Sequence, residues 1–348
     1  MKGLKIVSIF MITSLSFLCV PKLYGSERLI AVTYNTVANQ NELYKITPVT
    51  GDASLLASVV FDTGTWSGMF SVDNESNRIY IISGGWTIYQ FDSVTGALLS
   101  IFSANIPAGR DLQDLKCGDD VLIAVTYDTV ASQNELYKIT PVTGDASLLA
   151  SIVFNTWSHF SVDNESNRIY MMSDGAIYQF DSVTGALLST FSANIPSGSD
   201  LQALKCGGDL LVAVAYNTAA NKNELYKITP GTGAASLLAS IVFDTETWSG
   251  MSVDNESNRI YIRSGGGIIY QFDSVTGALL STFSANIPTE NDFQAFEIST
   301  ATCYTRKELN QAVLEAVEAE RRRWDINGDD KKGLEEAIDA LQISSGIK

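Results

Sequence analysis

The sequence is poor in the residue types that most often build catalytic and metal centres. It contains one histidine, His159, among 348 residues. A histidine-based metal site or a Ser-His-Asp triad is therefore disfavoured. Basic residues are also scarce, because 23 Lys and Arg stand against 39 Asp and Glu and give a formal net charge of −16. Such an acidic surface repels phosphate backbones, so we expect no nucleic-acid partner.

Cysteine is also scarce, and the spacing of the four cysteines predicts no disulfide framework. Cys19 lies in the N-terminal apolar run, which leaves Cys117, Cys206 and Cys303. Cys117 and Cys206 occupy the same place in two successive repeats, and Ile298 occupies it in the third. A position that accepts either Cys or Ile is most simply a buried apolar site.

The N-terminus has the three parts of a secretory signal peptide. Lys2 and Lys5 form a short charged region, an apolar run follows from Ile6 to Val20, and Gly25 is a small residue at a candidate cleavage point. The apolar run is too short for a comfortable membrane span. We expect residues 1–25 to be removed on export, which would leave no transmembrane segment. An uncleaved anchor is the alternative.

Internal repetition is the strongest signal in the chain. The segment SVDNESNRIY starts at Ser71, Ser161 and Ser252, so three units of about 90 residues follow one another. Inside each unit a weaker repeat halves the period to about 45 residues, with short alternating strands separated by Gly, Asn and Asp. Four strands in about 45 residues is typical of one propeller blade. The sequence therefore predicts an all-β, six-bladed β-propeller over residues 26–300.

The phase of the repeat also predicts how the ring closes. The first strand after the signal peptide, Leu29–Tyr34, matches the second strands of later blades. Its missing innermost partner is found at the other end of the repeats, where residues 292–298 match innermost strands. We expect these two segments to pair and complete the first blade, which would remove bare edges from the ring.

The blades share a Tyr-x-x-Asp-x-x-Thr-Gly turn, as at Tyr89–Gly96. This pattern resembles bacterial quinoprotein-like and surface-layer-like propellers over residues 29–299. The resemblance implies the architecture and leaves the function open, because such folds host many roles. Quinoprotein dehydrogenase activity is disfavoured, since the chain lacks adjacent cysteines.

Two sets of repeated residues are candidates for sites. Trp66, Trp157 and Trp248 recur once per unit before an innermost strand, and they could stack on sugars or pack between blades. Two aspartates in each unit precede turns, and we interpret them as turn formers, with a calcium role as the alternative for the second set. They are Asp92, Asp181 and Asp273 before Ser-Val-Thr-Gly, and Asp73, Asp163 and Asp254 before Asn-Glu.

The composition changes to Glu, Ala, Arg and Leu from Tyr304 onward. Thr305 and Glu308 form a capping-box pattern, which predicts a helix that ends near Arg323. A loop with oxygen-bearing side chains at positions 1, 3, 5 and 12 follows, and Leu334 begins a second apolar helical face. The predicted ligands of one Ca²⁺ are the side chains of Asp325, Asn327, Asp329 and Glu336 and the carbonyl of Lys331.

This C-terminal segment, residues 304–348, resembles an EF-hand and more closely a single dockerin-like calcium loop of exported bacterial proteins. Asp330 stands where an EF-hand has glycine, and Lys332 stands where it has an apolar residue. The alternative is an acidic helix–turn–helix tail that binds no metal.

These features together favour an exported, non-enzymatic binding or surface protein with a calcium-binding tail. Its partner would be a carbohydrate or a cell-surface protein, and its location would be extracellular or the cell surface, with the periplasm as an alternative. A polysaccharide-active or other extracellular enzyme with a calcium appendage remains the rival. An active site normally needs unique residues, whereas this chain supplies its candidates in equivalent copies, which leans against an enzyme.

Overall fold

The computed structural model describes residues 27–60, 66–118, 120–153, 159–207, 209–241, 248–265 and 267–299. The chain divides into two compact parts, Met1–Thr302 and Cys303–Lys348, and all of the described residues belong to the first part. The predicted signal peptide and the predicted calcium segment lie outside the described residues.

Within these ranges, twenty-four strands form six four-stranded antiparallel sheets, called blades here. Blade 1 contains β1 (Arg28–Asn35), β2 (Gln40–Ile46), β3 (Ala53–Val59) and β24 (Asn291–Ser299). Blade 2 contains β4 (Trp66–Asp73), β5 (Arg78–Ser83), β6 (Thr87–Asp92) and β7 (Leu98–Ser103). Blade 3 contains β8 (Arg110–Cys117), β9 (Leu122–Asp128), β10 (Gln133–Ile139) and β11 (Ala146–Ile152).

The other three blades repeat this order along the chain. Blade 4 contains β12 (His159–Asp163), β13 (Arg168–Ser173), β14 (Ala176–Asp181) and β15 (Leu187–Ser192). Blade 5 contains β16 (Ser199–Gly207), β17 (Leu210–Asn217), β18 (Lys222–Ile228) and β19 (Ala235–Ile241). Blade 6 contains β20 (Trp248–Asp254), β21 (Arg259–Ser264), β22 (Ile268–Asp273) and β23 (Leu279–Ser284). A 3₁₀ turn also occurs at Gly84–Trp86. The predicted six-bladed propeller is confirmed.

The ring closes as the repeat phase predicts. β24 pairs antiparallel with β1, with Arg28 opposite Ser299 and Asn35 opposite Asn291. Strands from the two ends of the propeller therefore complete blade 1. Each of the six inner strands contacts the inner strands on both sides, so the ring is continuous around its axis.

The core lies between the blades. Six hydrophobic clusters each join residues of two neighbouring blades, including one between blade 6 and blade 1. The second strand of blade 2, β5, is buried along almost its whole length because it has a neighbouring blade on each face. The outermost strand β7 exposes most of its side chains. Burial on both faces explains why second strands are continuous apolar runs, as in Ile79–Ile82.

The predicted Asp turns hold neighbouring blades together. Asp92 Oδ1 accepts hydrogen bonds from the N–H groups of Val94 (3.1 Å) and Thr95 (2.8 Å), which fixes the turn. The turn ends at Gly96 with φ +75°, and a Cβ there would lie 2.1 Å from the carbonyl oxygen of Leu56 in blade 1. Glycine is thus required both by the backbone conformation and by the close approach of the neighbouring blade.

Candidate binding sites on the faces and at the axis

The propeller has two faces that carry different loops. On the face called upper here, loops join the second and third strands of each blade and lead from one blade to the next. On the lower face, turns join the first to the second strand and the third to the fourth. Since Arg28 pairs with Ser299, the described chain enters and leaves the ring on the lower face.

Two of the three candidate tryptophans have described backbones, and both lie at the upper face. Trp66 is the first residue of β4 and is paired with Ser83, and Trp248 is the first residue of β20 and is paired with Ser264. Both strands are innermost strands of alternate blades. Trp157 lies outside the described residues. A ligand-contacting role for the three tryptophans stays a prediction.

The upper face carries strongly exposed apolar side chains. Among the described residues, the four most exposed large hydrophobic side chains are Val130 (86%), Val37 (82%), Val153 (77%) and Val60 (67%). All four lie on upper-face loops of blades 1 and 3. The lower-face turns also expose valines, such as Val94 (45%) and Val183 (58%), but to a smaller degree.

Three equivalent positions of the repeat meet at the axis. Lys116, Lys205 and Glu297 directly precede the equivalent residues Cys117, Cys206 and Ile298. Glu297 Oε1 lies 3.0 Å from Lys116 Nζ and 3.4 Å from Lys205 Nζ, so one carboxylate binds both ammonium groups. We call these residues the axial triad. Their side chains are largely shielded from solvent, with exposures of 15%, 22% and 13% in that order.

The rest of the axial contacts hold the carboxylate in place. Glu297 Oε2 accepts a hydrogen bond from the N–H of Val72 (2.8 Å). Lys116 Nζ donates to the carbonyl oxygen of Phe70 (3.4 Å) and lies 3.5 Å from Asp114 Oδ1. Both oxygens of Glu297 therefore have donors, which is the condition under which a buried charge is tolerated.

The axial charges shift one another's pKa values. Burial alone would raise the pKa of Glu297, but Lys116 and Lys205 hold it below its usual value. Burial would lower the pKa of Lys116, yet Asp114 and Glu297 raise it overall. The pKa of Lys205 is lowered by burial and by the charge of Lys116. Burial and the two lysines lower the pKa of His159 to about 4, so this imidazole is neutral at pH 7.

The sequence analysis did not single out this triad. A signal was present, because one of three equivalent positions changes from lysine to glutamate in strands that were predicted to be innermost. Chemically, the triad is a closed ion-pair network and its positive and negative groups are bound to each other. We interpret its role as structural, because it links the innermost strands of blades 1, 3 and 5 at the axis.

The two described cysteines match their predicted surroundings. Cys117 and Cys206 are free thiols, partly buried, and each packs against an interblade hydrophobic cluster. Their N–H groups donate to Ser71 Oγ and Ser161 Oγ, both at 3.0 Å, and the N–H of Ile298 donates to Ser252 Oγ at 2.9 Å. Burial raises the pKa of the Cys206 thiol to about 12, so it stays protonated.

The lower face contains a cavity of about 170 Å³ between blades 2 and 3. Its lining residues are Asp73, Ser76, Arg78, Tyr80, Gln90, Asp120, Val121 and Pro141. Asp73 belongs to the second set of predicted turn formers, and its Oδ1 accepts from the N–H groups of Glu75 (2.9 Å) and Ser76 (3.2 Å). The turn role is thus confirmed at this position. Across the described ranges, no group of three or more His, Cys, Asp or Glu side chains could hold a metal ion.

The equivalent space in the third unit is occupied by the chain itself. Glu27, just before β1, accepts a hydrogen bond from the hydroxyl of Tyr261, and Ser257 Oγ lies 3.2 Å from the same carboxylate. Burial raises the pKa of Glu27, while the hydrogen bond from Tyr261 opposes the rise. This contact adds a polar link between blade 6 and the start of blade 1.

One predicted site lies outside the described residues. The calcium ligands Asp325, Asn327, Asp329, Lys331 and Glu336 all lie outside them. Among the described residues, no helix is long and apolar enough to cross a membrane.

Comparisons with known proteins concern the fold. No protein-family model matches the chain, and no curated protein matches it in sequence. A solved chain of a nidogen/laminin complex has a TM-score of 0.54 at 11% identity and covers 80% of this chain and 100% of its own. The β-propeller domain of Cps50 (Swd1) from Myceliophteria thermophila has a TM-score of 0.49 at 11% identity, covering 77% and 89%. At such identity the first likeness shows the fold alone.

Proposed function

We propose that this chain is an exported, non-enzymatic binding protein of bacterial type that uses the upper face of a rigid propeller to bind a cell-surface protein. The C-terminal segment, residues 304–348, would bind Ca²⁺ as a separate appendage. The propeller scaffold itself is consistent with a binding role, since closed rings of this kind present many loops on a fixed frame.

The observation that carries the proposal is where the three units differ. The lower-face turns Asn74–Asn77, Asn164–Asn167 and Asn255–Asn258 are identical in sequence. The matching upper-face loops between blades differ, as in Ala108-Gly109-Arg110, Ser197-Gly198-Ser199 and Thr289-Glu290-Asn291. The units differ on the lower face too, where Gly231 stands in place of Val49 and Val142, but the upper face carries the most exposed valines of the described residues.

Apolar side chains on exposed loops supply the kind of surface that a protein partner buries. Val37 and Val130 occupy the tips of equivalent loops in units 1 and 2, and Ala219 stands there in unit 3. A carbohydrate partner is the second candidate and rests on Trp66, Trp157 and Trp248. A propeller chain in a nidogen/laminin complex illustrates that this architecture occurs in protein complexes.

A face-specific pair of variants tests the proposal. One double variant, Val37→Asp with Val130→Asp, alters the upper face, and its matched control, Val94→Asp with Val183→Asp, alters the lower face. Each is labelled with a fluorophore and applied to intact cells of the source organism, counted by flow cytometry. We expect the upper-face variant to lose at least tenfold in binding, a change of about 1.4 kcal/mol, and the control to bind as the parent does.

Treating the cells with protease separates the partner classes. Loss of binding after protease supports a protein partner. Binding that survives protease treatment, together with specific binding on a glycan array, would contradict a protein partner and support a carbohydrate partner. Equal loss in both double variants would contradict the assignment of the upper face. N-terminal sequencing of protein from the medium tests export, with Ser26 expected as the first residue.

A further inference from the structure

Most of the residues that line the lower-face cavity of unit 1 recur in the other two units. In unit 1 the repeated members are Asp73, Ser76, Tyr80, Gln90 and Asp120. In unit 3 the equivalent residues are Asp254, Ser257, Tyr261, Gln271 and Glu27. Four of the five residues are the same in both units, and the fifth is acidic in both. The comparison between them is therefore a comparison of one pocket in two states of occupancy.

In unit 3 the pocket holds a carboxylate. Gln271 Nε2 donates to the hydroxyl of Tyr261 (2.8 Å), and that hydroxyl donates in turn to Glu27 Oε1. Ser257 Oγ lies 3.2 Å from the same carboxylate oxygen, but it donates its proton over the shorter distance of 2.6 Å to Asp254 Oδ2. Tyr261 is fully buried, so its hydroxyl cannot hydrogen-bond to bulk solvent. The pocket thus supplies one ordered donor, the Tyr261 hydroxyl held by Gln271, and the group that accepts from it is the carboxylate of Glu27.

In unit 1 the same pair of glutamine and tyrosine is in place without that carboxylate. Gln90 Nε2 donates to the hydroxyl of Tyr80 (3.0 Å), as in unit 3. Tyr80 is 4% exposed, and within the described residues its hydroxyl proton has no acceptor. Asp120 stands where Glu27 stands, but it is one methylene shorter and exposed. The cavity of about 170 Å³ opens beside these groups. A ligand in this cavity that accepts a hydrogen bond would satisfy the Tyr80 hydroxyl as Glu27 satisfies that of Tyr261.

We propose that the unit-1 pocket binds a carboxylate from outside the chain, in the position that Glu27 takes in unit 3. The donor to the ligand is the Tyr80 hydroxyl. Ser76 donates its proton to Asp73 within the turn, and Arg78 in the lining is paired with Asp92 at 3.4 Å. Asp73 does not provide a free carboxylate, because its oxygens accept from the turn that it forms. Asp120 at the rim repels an anion and keeps the affinity low.

The carboxylate could belong to a glutamate of a partner chain or to a small free acid. Both present the same group to Tyr80, so the test uses one probe for each source. Propionate has the carboxyl end of a glutamate side chain and no backbone. Glutamate with an acetylated amine and an amidated α-carboxyl represents the peptide-borne group, and glutamine capped in the same way is its neutral control.

The experiment follows the ring resonances of ¹³C-labelled tyrosines in the mature full chain, with Tyr80 assigned from a Tyr80→Phe variant. We expect propionate and capped glutamate to shift the Tyr80 signal and saturate at about 1–10 mM, as suits a few hydrogen bonds and a small ligand. Capped glutamine should not shift it. Tighter binding of capped glutamate than of propionate identifies a peptide-borne carboxylate, and equal binding identifies a free acid.

Two substitutions at the rim make the inference sharp. Asp120→Glu should fill the pocket from within, abolish the response to propionate and move the Tyr80 signal toward that of Tyr261. Asp120→Asn should tighten propionate binding by roughly threefold because it removes a repulsive charge. Both variants change an exposed residue, and thermal unfolding checks that they are folded. No Tyr80 shift with propionate at 50-fold above the expected range, or an unchanged shift in Asp120→Glu, would overturn the proposal.

Discussion

Replacing Glu297 with glutamine removes the anion of the axial triad and keeps the size of the side chain. Two ammonium groups, from Lys116 and Lys205, then face each other at the axis without a carboxylate between them. The amide oxygen can still accept from the N–H of Val72, so the substitution isolates the charge. Breaking a buried ion pair by removing one partner costs about 3–5 kcal/mol, because the remaining charge is left uncompensated.

This loss converts into a measurable melting temperature. For a domain of this size, 1 kcal/mol corresponds to about 2–3 °C, so Tm should fall by about 6–15 °C at pH 7. Calorimetry or circular dichroism measures the change. Glu290→Gln is the matched control, since Glu290 is exposed and directly precedes β24, the strand that contains Glu297. We expect the free energy of unfolding of this variant to stay within about 0.5 kcal/mol of that of the parent.

The pH dependence gives an independent check with a fixed sign. The pKa of Glu297 is lowered in the folded state, so its stabilising contribution is complete above its ordinary value of 4.5 and is lost as the pH falls through the lowered value. The gap in stability between the parent and Glu297→Gln should therefore narrow in acid.

A third variant separates charge from packing. Converting Lys116 and Lys205 to Met and Glu297 to Leu replaces the whole triad with apolar groups, and we expect a stability equal to or above that of the parent. The reasoning is refuted if Glu297→Gln melts within 2 °C of the parent, or if the apolar triple variant melts as low as Glu297→Gln.

Three further predictions follow from the fold, the axis and the tail. Deleting residues 290–348 removes β24 and should destabilise the whole ring, whereas deleting 304–348 should leave the melting temperature of the propeller unchanged; equal melting of both truncations would contradict closure. The variant His159→Met introduces the residue that unit 1 has at that position. Because the pKa of His159 is about 4 in the folded protein and ordinarily 6.5, only the parent should lose stability, by about 3 kcal/mol, as the pH falls from 6.5 to 4. Urea midpoints measure this loss, and parallel curves for the two proteins would exclude the pKa shift. Calorimetry of the mature chain should show that one Ca²⁺ binds with a Kd of about 10⁻⁴–10⁻³ M, and the Asp325→Ala variant should show no such heat. Equal heats in both proteins would contradict the predicted calcium loop.

Much of the fold could be predicted because repetition multiplies weak evidence. The predicted first strand, Leu29–Tyr34, lies within β1 (Arg28–Asn35), and the predicted closing segment, residues 292–298, lies within β24 (Asn291–Ser299). A single alternating segment would not fix a register, but three copies of it do. Pairing of the chain ends followed from the same phase, without any contact being visible in the sequence.

The axial triad could not be predicted from alternation alone, because each innermost strand of blades 1, 3 and 5 contains a β-bulge. Gln113, Gln202 and Gln294 are the extra residues, and the register shifts on either side of them. A bulge changes which residues face one side of a strand. Counting by twos across Gln113 therefore gives no reliable direction for Lys116. The occupancy of the lower-face pocket was equally hidden, since it depends on where Glu27 meets blade 6.

The departures from the repeat fall into two physical kinds. Closing three equal units around one axis brings equivalent side chains together, so a third lysine in place of Glu297 would put three ammonium groups at one buried point. The ring is also cut once, at the start of β1, and only there can Glu27 enter a neighbouring pocket. These two differences are consequences of closure, and selection by a partner is not needed to explain them. The difference between Val37 and Ala219, at exposed tips of equivalent loops, has no such cause. Differences of this second kind are the ones that a binding partner can select. They occur on both faces, since Gly231 on the lower face stands where units 1 and 2 have Val49 and Val142, but the most exposed valines of the described residues lie on the upper face.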